Sequence, residues 1–109
     1  MKIALDYDNT YTLNPRAWEH VLGVLRFQFG TDIRTVTLRS GERDEILDFP
    51  GGMYGEALPI IYCDGRPKRE VCRELGWEPD VWIDDAPESI VSGSTLTPEQ
   101  IEEWRKRAV

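Results

Sequence analysis

Two short apolar runs in this chain end in paired acids, and this repetition constrains the fold more than any other feature. The stretch "KIALDYD" ends in Asp6 and Asp8, and the stretch "VWIDD" ends in Asp84 and Asp85. An apolar run that stops at a polar residue is typical of a buried parallel strand. We therefore expect two parallel strands whose carboxyl ends carry paired negative charge.

Patterns typical of helices alternate with these strands. Asn14 and Pro15 suit the N-cap and first position of a helix whose apolar residues recur at helical spacing until Gly30. A second strand is predicted over residues 33–38 and a third in "LPIIYC", after which a helix is predicted over residues 67–75. Strands that alternate with helices predict an α/β fold. We expect a doubly wound, Rossmann-like three-layer sandwich whose parallel sheet has at least four strands.

The remaining segments complete the expected organisation. Residues 41–48 favour a short helix, and the glycine-rich "FPGGMYG" favours an irregular loop. Near the C-terminus, "TPEQ" fits a capping box, and Ile101, Trp104 and Ala108 would give a last helix an apolar stripe. A chain of 109 residues is expected to form one domain, residues 1–109.

Charge and composition narrow the classes of function. Asp and Glu number 20 against 13 Lys and Arg, and the net charge of -7 disfavours binding to long nucleic acids or anionic membranes. No apolar run approaches the roughly 18 residues of a membrane span, and the opening run is too short for a signal peptide, so we expect a cytoplasmic protein. Cys63 and Cys72 form no CxxC pair and are expected to be part-buried thiols.

The polar residues at the strand ends are expected to meet, because ligands of parallel sheets bind beyond the carboxyl ends of the strands. Thr37 ends the second strand, and Lys68 lies in the first turn of the helix after the third. The four acids would repel one another in a partly desolvated pocket unless a cation neutralised them, and oxygen-only ligands suit Mg²⁺. Lys68 and Thr37 would then offer a positive charge and a hydroxyl to a phosphate.

The spacing of the first two acids would let them take different roles at one substrate. Alternate residues of a strand point to one face, so Asp6 and Asp8 can both lean toward one substrate while Tyr7 points away. An ionised Asp6 could attack phosphorus, and Asp8 could protonate the leaving group and then activate water. Asn9 indicates where the chain leaves the strand, since asparagine tolerates a positive φ.

Four segments, "LDYDNT", "VTLRS", Lys68 ahead of a helix, and "VWIDD", resemble in order the motifs of the haloacid dehalogenase-like phosphatases. The resemblance covers residues 2 to about 91 and is greatest to small phage-type or bacterial members. It implies a Mg²⁺-dependent phosphohydrolase with a nucleophile at Asp6 and a general acid and base at Asp8. It also implies phosphate contacts at Thr37 and Lys68, and metal binding by Asp6, Asp84 and Asp85 and by the backbone carbonyl of Asp8.

The chain departs from the family pattern in two places. The family commonly has glycine where this chain has Asn9, and the second motif can also be aligned with Ser40 in place of Thr37. We prefer Thr37 because it ends the apolar strand. Only four residues separate Cys63 from Lys68, which leaves no room for a cap domain. A capless site implies a large substrate or a cover formed by a partner subunit, such as a second copy in a homo-oligomer.

Two other classes of protein are compatible with parts of this pattern. A receiver domain also combines acids, a hydroxyl and a lysine, and Asp64 could be its phosphoacceptor, but Thr37 and Lys68 then come too early in the chain. A binding module could keep the fold and metal site without turning over a substrate. The phosphorylated substrate stays open, because selectivity lies in loops. Candidates are a sugar phosphate, a nucleotide, a nucleic-acid end and a phosphoprotein.

Overall fold

The computed structural model describes residues 1–53, 55–92, 102, 103 and 106. Its elements follow in the order β1 (Lys2–Leu5), a 3-10 helix (Tyr11–Leu13), α1 (Pro15–Phe27), β2 (Asp32–Thr37), β3 (Ile60–Tyr62), α2 (Lys68–Glu74), β4 (Val81–Ile83) and α3 (Glu88–Val91). The predicted "TPEQ" capping box and the stripe of Ile101, Trp104 and Ala108 lie outside the described residues.

The four strands form one parallel sheet in the order β3-β2-β1-β4. Ile3 of β1 lies opposite Ile33 on one side and Val81 on the other. The prediction of a Rossmann-like α/β fold with at least four parallel strands is therefore confirmed. The chain first proceeds from β1 to β2 and β3, and then returns to the other side of β1 to form β4. The switch in direction opens a crevice between β1 and β4, which is where parallel sheets bind ligands.

Side chains alternate between the two faces of the sheet and give each face its own core. Ile3 and Leu5 share a buried cluster with Leu22 of α1, whereas Ala4 belongs to a second cluster with Val71 and Cys72 of α2. Tyr7 continues the first series, as predicted, and is buried in the same cluster as Ile3. Helices therefore cover both faces, which gives the predicted three layers.

The ends of the helices follow local signals in the sequence. Asn14 caps α1, since its side-chain oxygen accepts a hydrogen bond of 3.1 Å from the Ala17 amide, and Pro15 is the first helical residue. The helix ends at Phe27, a little before the predicted stop, and Gly30 then turns the chain with φ of 62°. No helix of the described part of the chain is long and apolar enough to cross a membrane.

The short helix predicted over residues 41–48 is wrong, because these residues form turns. The Asp44 side chain accepts a hydrogen bond of 2.6 Å from the Ser40 amide, and the Asp44 amide donates back to the Ser40 carbonyl at 3.1 Å. A short acidic side chain that bonds the nearby backbone favours a turn over a helix. Ile46 is nevertheless buried in the core, while Leu47 is exposed. Cys63 and Cys72 are buried free thiols.

Candidate functional site

Three of the four predicted acids come together at the crevice between β1 and β4. Asp6 directly follows β1, and its amide donates a 2.9 Å hydrogen bond to the carbonyl of Ile83, the last residue of β4. This bond extends the strand pairing by one residue and brings Asp6 beside Asp84 and Asp85. Carboxylate oxygens of the three acids all lie within 4.8 Å of one another, so the group could hold a metal ion. We call these three residues the acidic triad.

Lys68 is the counter-charge of this triad. Its Nζ donates hydrogen bonds to Asp6 Oδ1 at 2.9 Å and to Asp84 Oδ2 at 2.5 Å, and its side chain is only 2% exposed. The residue begins α2, where the helix dipole disfavours a cation. The two carboxylates offset that cost, which explains why a lysine stands at this position.

The charges of the triad are only partly balanced. Burial raises the pKa of Asp6 to about 8, against the opposing attraction of Lys68, with further raising by a hydrogen bond to Asp85 and by the charge of Asp84. Burial alone would lower the pKa of Lys68, but its attraction to Asp6 and Asp84 outweighs burial, so the pKa of this ammonium is raised. One ammonium therefore faces three acids. A hard divalent cation fits this donor set, because all three side chains offer oxygen ligands.

Asp8 lies beside the triad but is held by a different partner. The guanidinium of Arg39 donates to both of its oxygens, from Nε to Oδ2 at 2.8 Å and from Nη2 to Oδ1 at 2.6 Å. Within the described ranges, Asp8 is not part of the group of close ligand oxygens, although it lines the same small cavity as Asp6 and Lys68. A role of Asp8 in metal binding therefore stays a prediction.

Thr10 orients the triad from the turn that follows β1. Its hydroxyl donates to Asp6 Oδ2 at 3.0 Å and lies 3.4 Å from Asp85 Oδ1. The indole of Trp18 donates to the Thr10 carbonyl at 2.9 Å and so fixes this turn against α1. Asn9 adopts the positive φ, 60°, that its residue type was expected to tolerate. No spacing in the sequence predicts this role of Thr10.

Thr37 and Ser40 both lie close to the end of β2. Thr37 is buried, and its hydroxyl oxygen accepts a hydrogen bond of 3.2 Å from the Arg39 amide. The hydroxyl of Ser40 accepts one of 3.2 Å from the Glu42 amide. The described residues that line the cavity around Lys68 include neither hydroxyl, so a phosphate contact by Thr37 stays a prediction.

Arg39 contacts a candidate site residue, Asp8, that the sequence patterns do not connect with it. No local signal marks it, because its partner Asp8 is 31 positions away. Asp64, the acceptor of the rival receiver model, instead lies at the surface in an ion pair with Arg43. It is not part of the acidic triad.

Comparisons of the chain with protein-family models, with curated proteins and with solved structures find no match. The geometry itself supports a small α/β domain in which an acidic triad lies at the ends of two adjacent parallel strands. Such an arrangement can bind a divalent cation and, through it, an anion.

Proposed function

We propose that this chain is a Mg²⁺-dependent phosphohydrolase that acts on a phosphomonoester through an aspartyl-phosphate intermediate at Asp6. The observation that carries the proposal is the different surroundings of the two acids that follow β1. Asp6 lies with the triad and Lys68, whereas Asp8 lies outside the triad on the same cavity. This arrangement supports a nucleophile at Asp6 and a separate proton carrier at Asp8. The resemblance of the four sequence motifs points to the same chemistry.

Asp6, Asp84 and Asp85 would hold the ion. Mg²⁺ supplies positive charge that keeps Asp6 ionised and draws phosphate oxygens into the crevice. Lys68 adds a buried ammonium 2.9 Å from Asp6, where it can stabilise the charge on the phosphoryl oxygens during transfer. Thr10 holds Asp6 Oδ2, and so orients the carboxylate.

Two displacements at phosphorus complete the reaction. In the first, an Asp6 oxygen attacks phosphorus, the bond from phosphorus to the ester oxygen breaks, and Asp8 donates its proton to the leaving alkoxide. In the second, Asp8 takes a proton from water, and the resulting hydroxide attacks the same phosphorus. The bond from Asp6 to phosphorus then breaks, so that inorganic phosphate is released and Asp8 is again protonated.

The test is hydrolysis of p-nitrophenyl phosphate by the metal-free protein before and after addition of Mg²⁺. We expect turnover only with Mg²⁺, and its loss in both Asp6→Asn and Asp8→Asn. Asp64→Asn is the matched control, since Asp64 also follows a strand but is exposed in an ion pair. Turnover should survive in that variant.

The results separate the proposal from its rivals. A folded wild type that binds Mg²⁺ but hydrolyses no member of a phosphomonoester panel would contradict the proposal and favour a binding module. Stable phosphorylation at Asp64 by a small phosphodonor would favour a receiver domain.

A further inference from the structure

The Arg39 side chain is part-buried against Asp8, and three of its five N–H donors bind other groups of this chain. Two of its nitrogens bind the two oxygens of Asp8, and Nη1 donates to the Asp44 carbonyl at 3.2 Å. The side chain is 16% exposed. An arginine that recognised a free anion would keep its fork open toward solvent or the cavity. Here the Nε and Nη2 donors of Arg39 instead bind the carboxylate of Asp8 in the same chain.

The Tyr7 ring also holds the guanidinium in place. Its central carbon lies 5.0 Å from the centre of the Tyr7 ring, at a distance typical of a cation-π contact. The Tyr7 hydroxyl in turn donates a short hydrogen bond to Asp48. Tyr7 thus connects β1 to the loop after β2, and Arg39 is held between the ring and the carboxylate.

We propose that Arg39 is the positioning residue that sets the orientation of Asp8 for proton transfer to the leaving group. This inference rests on the proposed function and deepens it. A planar guanidinium that binds both oxygens of a carboxylate fixes the plane of that carboxylate as well as its place. Asp8 needs such guidance because it lies in the turn after β1, where no strand pairing holds the backbone. A lysine would keep the positive charge but lose the two-point geometry.

The experiment measures kcat/KM for a series of aryl phosphates with Mg²⁺ in wild type and Arg39→Lys. The series runs from 2,4-dinitrophenyl phosphate, whose leaving group needs no proton, to phenyl phosphate, whose phenolate has a pKa of about 10, as in tyrosine. General acid catalysis contributes about 10²- to 10⁴-fold to the rate. Misplacing the acid in Arg39→Lys should therefore lower kcat/KM for phenyl phosphate by about 10- to 100-fold. We expect kcat/KM for the dinitrophenyl ester to fall by less than about threefold, because the dinitrophenolate leaves without a proton from Asp8.

Three controls separate positioning from a general loss of structure. Arg43→Lys changes an exposed arginine of the same loop and should alter neither end of the series. Mg²⁺ affinity, measured by calorimetry, should be unchanged in Arg39→Lys, since the triad is intact. In an Asp8→Asn background, Arg39→Lys should lower kcat/KM for phenyl phosphate by less than about a further twofold. The effects of substitutions at residues that act as a unit do not add.

Two results would overturn the inference. An equal loss of kcat/KM across the whole series would mean that Arg39 contacts the transferred phosphoryl group. An unchanged kcat/KM for every ester would mean that Arg39 does not set the orientation of Asp8. Arg39→Gln keeps a planar side chain with one hydrogen-bond donor group, and it provides the same comparison if the lysine variant fails to fold. A wild type without Mg²⁺-dependent turnover on any ester would overturn the proposed function itself, and this inference with it.

Discussion

Binding of Mg²⁺ should release close to one proton at pH 7, because Asp6 carries a proton in the metal-free protein. Burial raises the pKa of Asp6 to about 8, even though Lys68 lies 2.9 Å away and opposes the rise. A group with this pKa is about nine-tenths protonated at pH 7 and about one-tenth protonated at pH 9. A metal ion needs the ionised carboxylate, so its binding displaces that proton.

The sign of the pH dependence follows from the same competition. Between pH 7 and pH 9 the proton ceases to compete, so the apparent Mg²⁺ affinity should rise about tenfold, or about 1.4 kcal/mol. The metal-free fold should show the opposite trend. Its pKa for Asp6 is raised from 3.8, so the stabilisation that this proton gives is complete below about pH 4 and is lost as the pH rises through about 8. Asp6→Asn should remove that contribution.

Isothermal titration calorimetry in two buffers with different protonation enthalpies counts the protons directly. We expect about 0.9 protons per Mg²⁺ at pH 7 and about 0.1 at pH 9. Asp6→Asn should bring both values near zero, whereas the exposed Asp64→Asn should match the wild type. A release below about 0.2 protons at pH 7 in the wild type would refute the reasoning, because it would mean that Lys68 alone suffices to ionise Asp6.

Two further predictions concern buried charges. Lys68→Met should lower the free energy of unfolding of the metal-free protein by about 3 to 5 kcal/mol, since it leaves the buried Asp84 carboxylate without its ion-pair partner and removes a hydrogen bond to Asp6. Urea denaturation should show that saturating Mg²⁺ restores part of this loss, and an unchanged urea midpoint would contradict the ion-pair geometry. Glu19→Gln should cost about 1 to 3 kcal/mol by the same assay, because the Glu19 carboxylate, 3% exposed, accepts from the Gly51 and Met53 amides at 2.7 and 2.8 Å. The exposed Glu45→Gln is its control, and equal urea midpoints for the two variants would exclude an anchoring role for Glu19.

The fold could be predicted because its signals are local and agree with one another. Asn14 and Pro15 begin α1, and the apolar runs that end at Asp6 and Asp84 are strands. Each of these signals occupies a few consecutive residues. The prediction over residues 41–48 failed because the Asp44 carboxylate bonds the Ser40 amide and closes a turn, a choice that hydrophobic spacing does not report.

The site could be predicted only where its members lie at strand ends. Parallel topology brings Asp6, Asp84 and Asp85 together whatever the loops do, and Lys68 begins the helix that follows the third strand at the same edge of the sheet. Arg39 could not be placed in this way. Its contact with Asp8 depends on how the chain turns after β2, and neither strand pairing nor helix spacing fixes that turn.

The different partners of Asp6 and Asp8 bear on why a strand should end in two acids. If both carboxylates joined one cluster of acids, they would repel each other more strongly and would compete for the same place in the cavity. Here the strand pairing continues through Asp6, which joins the triad, while the chain turns at Asn9 and Asp8 meets Arg39. A separation of two residues is the smallest that keeps both side chains on one face of a strand. The spacing therefore places one carboxylate in the acidic triad and the other beside it on the same cavity, and under the proposed function these two become the nucleophile and the proton carrier.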